Sequence, residues 1–331
     1  MMKLPKFEFL APVSVKETVA LLKKHGPQAK LLAGGTDLIV SMKQKLFEPK
    51  YIIGISRIAE LQHIDFNPDD GLTLGAGATW DKVVQHASIR KHYPALAQAA
   101  EVVATPTLQN KGTVGGNICL DTRCWYYNQS YFWRKSLGWC MKKGSDYCHV
   151  APGLGKCVAV FSSDPVPAMI AYDAKVTIVG PKGRRTQALE DLYQDDGIHF
   201  LKLATNEMVV KVQLPRPARN SRSTHIKFRK RQSIDYPIAN ACVQLQLDRK
   251  NIVKDIRIVM GAVESCPLRA RAAEDSLRGM ELTSQRIEDA AQLAFKDAKP
   301  MPNTAGTPLY RKKVARVLVK RALTQLSHSS K

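Results

Sequence analysis

Four cysteines, Cys124, Cys140, Cys148 and Cys157, are the residues of this chain best suited to hold a metal centre. They lie in a stretch from Thr113 to Asp164 that opens TVGGNICLDTRC and closes AVFSSDP. Thiolates are ligands for tetrahedral zinc and for iron–sulfur clusters alike. The spacing is neither the short ferredoxin run nor the paired CxxC of zinc ribbons. Spacing alone therefore leaves a cluster, a zinc ion or packed free thiols open. The setting favours a cluster, because Trp125, Tyr126, Tyr127, Tyr131, Phe132, Trp133 and Trp139 could screen a redox centre from water.

Two glycine-rich loops offer a second chemistry. Gly34-Gly35-Thr36-Asp37 stands where an apolar strand feeds a helix, and KGTVGGNIC brings Gly112, Gly115 and Gly116 together with Thr113 and Asn117. A glycine removes the side chain that keeps a phosphate from backbone N–H groups. The first loop alone reads as a plain turn, and it is not a GxGxxG fingerprint or a Walker loop. Together they suit a ligand with a central pyrophosphate and a ring at each end, such as FAD. His63, His86 and His92 read as packing residues, since no carboxylate or nucleophile stands at a telling spacing from them.

The elements that must position these residues follow from periodicity. FEFLAP reads as a strand. SVKETVALLKKHG reads as a helix capped by Ser14 with Glu17 in a capping box and Gly26 at its far end. AKLL and YIIGI read as strands flanking a second helix, which makes a small parallel α/β unit. HIDFN and LTLGAG are strand-like, and TWDKVVQHASIRKH, with Thr79 as its cap, and ALAQAAEVVA are helical. Asp164 is expected in a turn followed directly by a strand, GRRTQA in a loop, and EMVVKVQLP in a strand. HIKFRKR, PIANACVQLQLD and IVKDIRIVMGAV alternate as an antiparallel sheet. Helices are expected at about 267–279, 284–299 and 309–326. Cys242 and Cys266 read as buried small residues.

The chain has 331 residues, 44% of them hydrophobic, enough for two or three domains with cores of their own. No apolar run long enough to span a bilayer and no secretory leader is evident, so no membrane is expected and a reducing cytoplasm fits seven cysteines. The net charge of +21 favours acidic partners. Its basic residues are scattered from Lys3 to Lys331 without a nucleic-acid motif, so no nucleic acid is expected.

LLAGGTDL, LGAGAT, TVGGNI and SDPVPAMIAYDAKVTIVG, in this order, resemble the FAD-binding medium subunits of molybdenum hydroxylases, over roughly residues 5–325. The resemblance implies an α+β fold: a parallel α/β subdomain over 1–55, a mixed middle subdomain over 56–215 and an antiparallel α+β subdomain over 216–331. It implies FAD contacts from Lys30, Leu31, Leu32, Ala33, Gly34 and Gly35, then from Thr36, Asp37 and Leu38. The second region would add Ala104, Leu108, Gly112, Thr113, Gly116 and Asn117, with Cys119 lining the pocket. Ser163 and Asp164 would approach the nucleotide, Val209 and Val210 would pack on the isoalloxazine ring, and Arg229 would lie nearby.

The stretch between the VGGN and SD motifs, about 119–160, is similar to an insertion in the beta subunits of 4-hydroxybenzoyl-CoA reductases, which carries a [4Fe–4S] cluster. On that resemblance Cys124, Cys140, Cys148 and Cys157 are the cluster ligands. The implied role is an electron-transfer subunit with no catalytic residue of its own. It would serve reductive dehydroxylation of 4-hydroxybenzoyl-CoA, with electrons from an acidic ferredoxin. Its partners would be a molybdopterin-binding large subunit and a [2Fe–2S] small subunit, in a hetero-oligomer such as a dimer of heterotrimers. The alternative is the equivalent subunit of a complex acting on another phenol, a purine or an aldehyde.

Overall fold

Three sheets, each with its own helices, carry the chain in the computed structural model, which describes residues 3–328. The ends of the first and third expected segments lie outside the described residues. The fold is of the α+β class expected.

The first sheet has the order β1-β3-β2, all parallel, from β1 (Glu8–Leu10), β2 (Ala29–Leu32) and β3 (Tyr51–Gly54). Helix α1 (Val15–His25) follows β1, and α2 (Leu38–Lys43) follows the GGTD turn. Ser14 caps α1 by accepting the Glu17 N–H at 3.1 Å. Glu17 reaches back to the Val13 N–H at 2.9 Å, one residue earlier than the expected capping box. Val15, Val19 and Leu22 of α1 pack with Ile53 and with Met208 and Val210 from the next sheet, so the first two sheets share a core.

The second sheet has the order β4-β5-β8-β6-β7, antiparallel throughout. Its strands are β4 (Ile64–Asn67), β5 (Gly71–Gly75), β6 (Lys175–Gly180), β7 (Gly183–Ala188) and β8 (Met208–Leu214). The run expected as one helix is two, α3 (Trp80–Gln85) and α4 (Ala87–His92), because His86 takes an extended ψ of 112°. Thr79 makes no capping bond with its side chain; it forms a bridge to Thr113 instead. Then come α5 (Pro94–Glu101), α6 (Pro106–Gln109), α7 (Val114–Ile118) and α8 (Tyr131–Ser136).

Two further expectations need correction. A helix, α9 (Pro165–Ala171), intervenes between Asp164 and β6; proline opens it, and every residue in it is buried. GRRTQA is not a loop but β7. It is the sheet's edge strand, where charged side chains face water and hide the apolar alternation of a buried strand.

The third sheet has the order β12-β11-β10-β9, antiparallel, from β9 (Ser221–Phe228), β10 (Ala239–Leu247), β11 (Val253–Gly261) and β12 (Leu268–Arg269). Helices α10 (Arg271–Leu277), α11 (Ser284–Asp297) and α12 (Pro308–His328) pack on it. The buried residues of α12, Ala315, Leu318, Val319, Ala322, Leu323 and Leu326, recur at helical spacing and close this core. Among the described residues no helix is long and apolar enough to cross a membrane.

Candidate functional site

The GGTD turn and the second glycine loop pack against each other. A β-carbon on Gly34 would overlap the Lys111 backbone, while Gly35 has φ +73°, which glycine adopts without strain. In the second loop Thr113 caps α7 by accepting the Gly116 N–H at 3.1 Å. Gly115 lies so close to β5 that an added β-carbon would stand 2.8 Å from the Ala76 side chain.

Between the two loops and Val209 of β8 lies a cavity of about 570 Å³. That is ample for a cofactor-sized ligand. Lys30 through Leu38 line it, as do Gly112, Thr113, Gly116, Asn117 and Cys119. Successive strand residues face opposite ways, so Val209 lines the cavity and Val210 joins the core beneath α1. The backbone N–H groups of Gly34, Gly35, Thr36 and Asp37 donate no hydrogen bond within the described residues. Four unspent donors in a row on a cavity wall are the fitting partner for a pyrophosphate. The cavity therefore fits FAD on its backbone as well as its volume.

Of the other expected FAD residues, Asp164, with Ser163 beside it, and Arg229 lie in a second place around Lys227. Asp164 is not a solvated turn residue but is buried, with Lys227 Nζ at 2.7 Å and Asn240 Nδ2 at 3.1 Å. Burial pushes its pKa up, and Lys227 opposes that shift. Lys227 and Arg229 both donate to the Val102 carbonyl, at 3.0 and 3.3 Å. Ala104, in the left-handed region at φ 44°, accepts the Ile234 N–H at 2.9 Å. Leu108 holds the second loop by accepting the Gly112 N–H at 2.7 Å. The Ser163 hydroxyl is buried without a partner, a polar atom free for a ligand. None of these six (Ala104, Leu108, Ser163, Asp164, Val210 and Arg229) lines the cavity itself.

Arg123 ties the two places together, and sequence reasoning had not singled it out. It is ion-paired with Asp37 of the first glycine turn and lies 4.9 Å from the Tyr236 ring centroid. Its partners stand far away along the chain, so no local pattern announces it.

The cysteine stretch leaves and re-enters the fold through one bridge. Arg123 N–H donates to the Val160 carbonyl at 2.7 Å, and Val160 N–H donates back at 2.8 Å. Arg134 of α8, fully buried, anchors the excursion to the first subdomain by donating to the Gln44 carbonyl at 2.6 Å. Asn303, before α12, holds the other flank through the Trp125 N–H at 2.9 Å and the Val158 carbonyl. Inside it, all four cysteines, 124, 140, 148 and 157, line a single small cavity. Tyr126 stacks on His149 at 4.9 Å, and Tyr126 and Tyr127 wall the cavity. By contrast Trp125, Tyr131, Phe132 and Trp133, expected to screen the centre, stay exposed on the outside of the stretch.

The thiols face one another. Burial pushes the Cys124 pKa up to about 12, and the other three cysteines add to the rise. A bound cation would reverse that, since coordination deprotonates a thiol. A single zinc ion, about 2.3 Å from each sulfur, needs sulfurs roughly 3.8 Å apart. Among the described residues no three of these thiols lie within 4.8 Å of one another; the only ligating trio that does is Asp195, Glu264 and Cys266. As they stand, the thiols are spaced more widely than a tetrahedral zinc site.

Residues 5–217 match the family described as the FAD binding domain in molybdopterin dehydrogenase, and residues 224–326 match the CO dehydrogenase flavoprotein C-terminal domain. The chain is 30% identical to the carbon monoxide dehydrogenase medium chain of Hydrogenophaga pseudoflava, over 96% of each chain. It is 25% identical to the nicotinate dehydrogenase FAD-subunit of Eubacterium barkeri, over 97% of this chain and 96% of that one. The solved structure of the Hydrogenophaga pseudoflava carbon monoxide dehydrogenase, in a form lacking the Mo-pyranopterin moiety, superimposes with a TM-score of 0.81 at 28% identity, covering 97% of each chain.

Proposed function

Because the chain belongs to the family of FAD-binding medium subunits of molybdenum hydroxylases, we propose that it is the electron-transfer subunit of a molybdenum-dependent reductase that removes the hydroxyl of 4-hydroxybenzoyl-CoA. It binds FAD in the cavity between the glycine loops and a [4Fe–4S] cluster on Cys124, Cys140, Cys148 and Cys157. One observation carries the second cofactor: four cysteines separated in sequence line one small cavity next to the FAD cavity. When bound, FAD and the cluster supply two-electron and one-electron redox chemistry.

The chain's own residues do the rest. The N–H groups of Gly34 to Asp37 hold the pyrophosphate, and Val209 offers an apolar contact to a ring. Tyr126, Tyr127, Val158 and Ala159 keep water from the cysteines. Arg123 fixes Asp37 and so the first glycine turn. The partners are a molybdopterin-binding large subunit and a [2Fe–2S] small subunit, with segments 1–55, 56–215 and 216–331 as the structural units. The +21 charge steers an acidic ferredoxin to the exposed aromatic flank of the cysteine stretch.

The test is turnover by the assembled complex. Reduced ferredoxin should support dehydroxylation of 4-hydroxybenzoyl-CoA, at a rate that falls steeply as salt rises. A complex that ignores this thioester but turns over a purine or an aldehyde would overturn the substrate assignment.

A further inference from the structure

Two residues line both cavities: Tyr127 and Lys142 face the FAD cavity on one side and the cysteine cavity on the other. The Lys142 side chain is 7% exposed. Its ammonium donates to Asp121 Oδ1 at 2.6 Å, to the Gly197 carbonyl at 2.8 Å and to the Thr122 carbonyl at 3.2 Å. It also stands 4.6 Å from the centroid of the Tyr127 ring. Gly197 in turn donates its N–H to the Cys157 carbonyl at 2.8 Å, so the lysine is braced on the backbone that carries a cysteine.

Asp121 serves a second lysine. Lys30, on the FAD-cavity wall, has its pKa lowered by desolvation and partly restored by Asp121, while Lys142 repels it. Lys142, on the partition, and Lys30, on the FAD-cavity wall, thus share the Asp121 carboxylate. A charge in such a place acts over a longer range than it would in water. Burying it is costly, and an apolar side chain would close the wall at lower desolvation cost. A redox role accounts for a charge held there.

Resting on the assignment of the two cavities to FAD and a [4Fe–4S] cluster, we propose that Lys142 is a positioning residue for electron transfer. Its ammonium, fixed on the common wall, favours the electron-richer state of both centres, and Asp121 limits how far. Each centre gains negative charge when it gains an electron, so one cation between them raises both potentials together. The pair thereby keeps the two centres matched rather than tuning one against the other.

The test is anaerobic spectroelectrochemistry of the full chain, with FAD and iron quantified in every variant. Lys142→Met should lower the midpoint potentials of both centres, by about tenfold in the reduced-to-oxidised ratio, ~59 mV for a one-electron couple. Lys142→Arg should restore most of the shift, and Asp121→Asn should move both potentials the opposite way. Unmoved potentials in a Lys142→Met protein with full FAD and iron would overturn this inference and leave the cofactor assignment standing. Should Lys142→Met lose its cofactors, Asp121→Asn decides: a rise in both potentials supports the proposal, and no change overturns it. A wild-type chain without iron would overturn the cofactor assignment itself.

Discussion

Gly34 of the first glycine turn lies against Lys111 of the second loop so closely that no side chain fits between them. The two loops are therefore one built surface and not two separate turns. Gly34→Ala should push them apart, lowering stability by about 3 kcal/mol, as overpacking does, and releasing FAD. Denaturant unfolding and flavin absorbance measure both effects. A variant with wild-type stability and full FAD would show that the loops tolerate separation.

Gly116 gives the complementary case. A β-carbon there meets only the Thr113 hydroxyl, at 3.0 Å, and otherwise looks into the cavity. Gly116→Val should leave the fold standing while emptying the flavin site. Flavin content and thermal unfolding, measured on one preparation, separate this outcome from the Gly34 effect. Full FAD occupancy in the Gly116→Val protein would remove the second loop from the binding surface.

Cys148 is buried and lines the cavity that the other three cysteines share. Cys148→Ser should lose most of the iron and keep most of the FAD, because Cys148 takes no part in the wall of the flavin cavity. Gly197→Ala should act in the same direction, since its methyl would stand 2.6 Å from the Ala159 backbone nitrogen and 2.8 Å from Cys157 Sγ. Iron analysis against flavin content checks both; unchanged iron in Cys148→Ser would strike that residue from the ligand set.

Glu264 gives the protein a pH dependence. Burial, and then Asp195, push its pKa up to about 7 from an ordinary value of 4.5. A folded-state pKa above the unfolded one adds stability that is fully present below about pH 4.5 and is lost as pH rises through 7. Glu264 is partly exposed, so screening reduces the contribution to about 2 kcal/mol. His225, buried with neither ring nitrogen paired and its pKa pushed down to about 3, works in the opposite sense, losing stability as pH falls below 6.5. The readout is therefore the difference between wild type and Glu264→Gln in denaturant unfolding from pH 4.5 to 7. That difference should slope with pH, and a flat one would contradict the assignment.

Periodicity carried the sheets well where strands are half-buried and helices amphipathic, as in α1 and α12. It missed α9, because a helix buried on every side has no polar face to set a period. It missed β7, because an edge strand of arginines and glutamine has no apolar one. The glycine turns and the four cysteines were legible from residue type, since few side chains do what they do. Arg123, Lys142 and Asp121 were not, because each acts through partners brought together only by folding: Arg123 and Asp37 stand 86 positions apart. The segment around Asp164 reads as a plain turn, yet β9 supplies Lys227, which buries it as half of an ion pair.

Two redox centres in adjoining cavities of one chain must both appear when flavin, iron and zinc are quantified in anaerobically purified protein: one FAD and four iron atoms per chain, with no stoichiometric zinc. Zinc in place of iron, or flavin alone, would overturn that assignment.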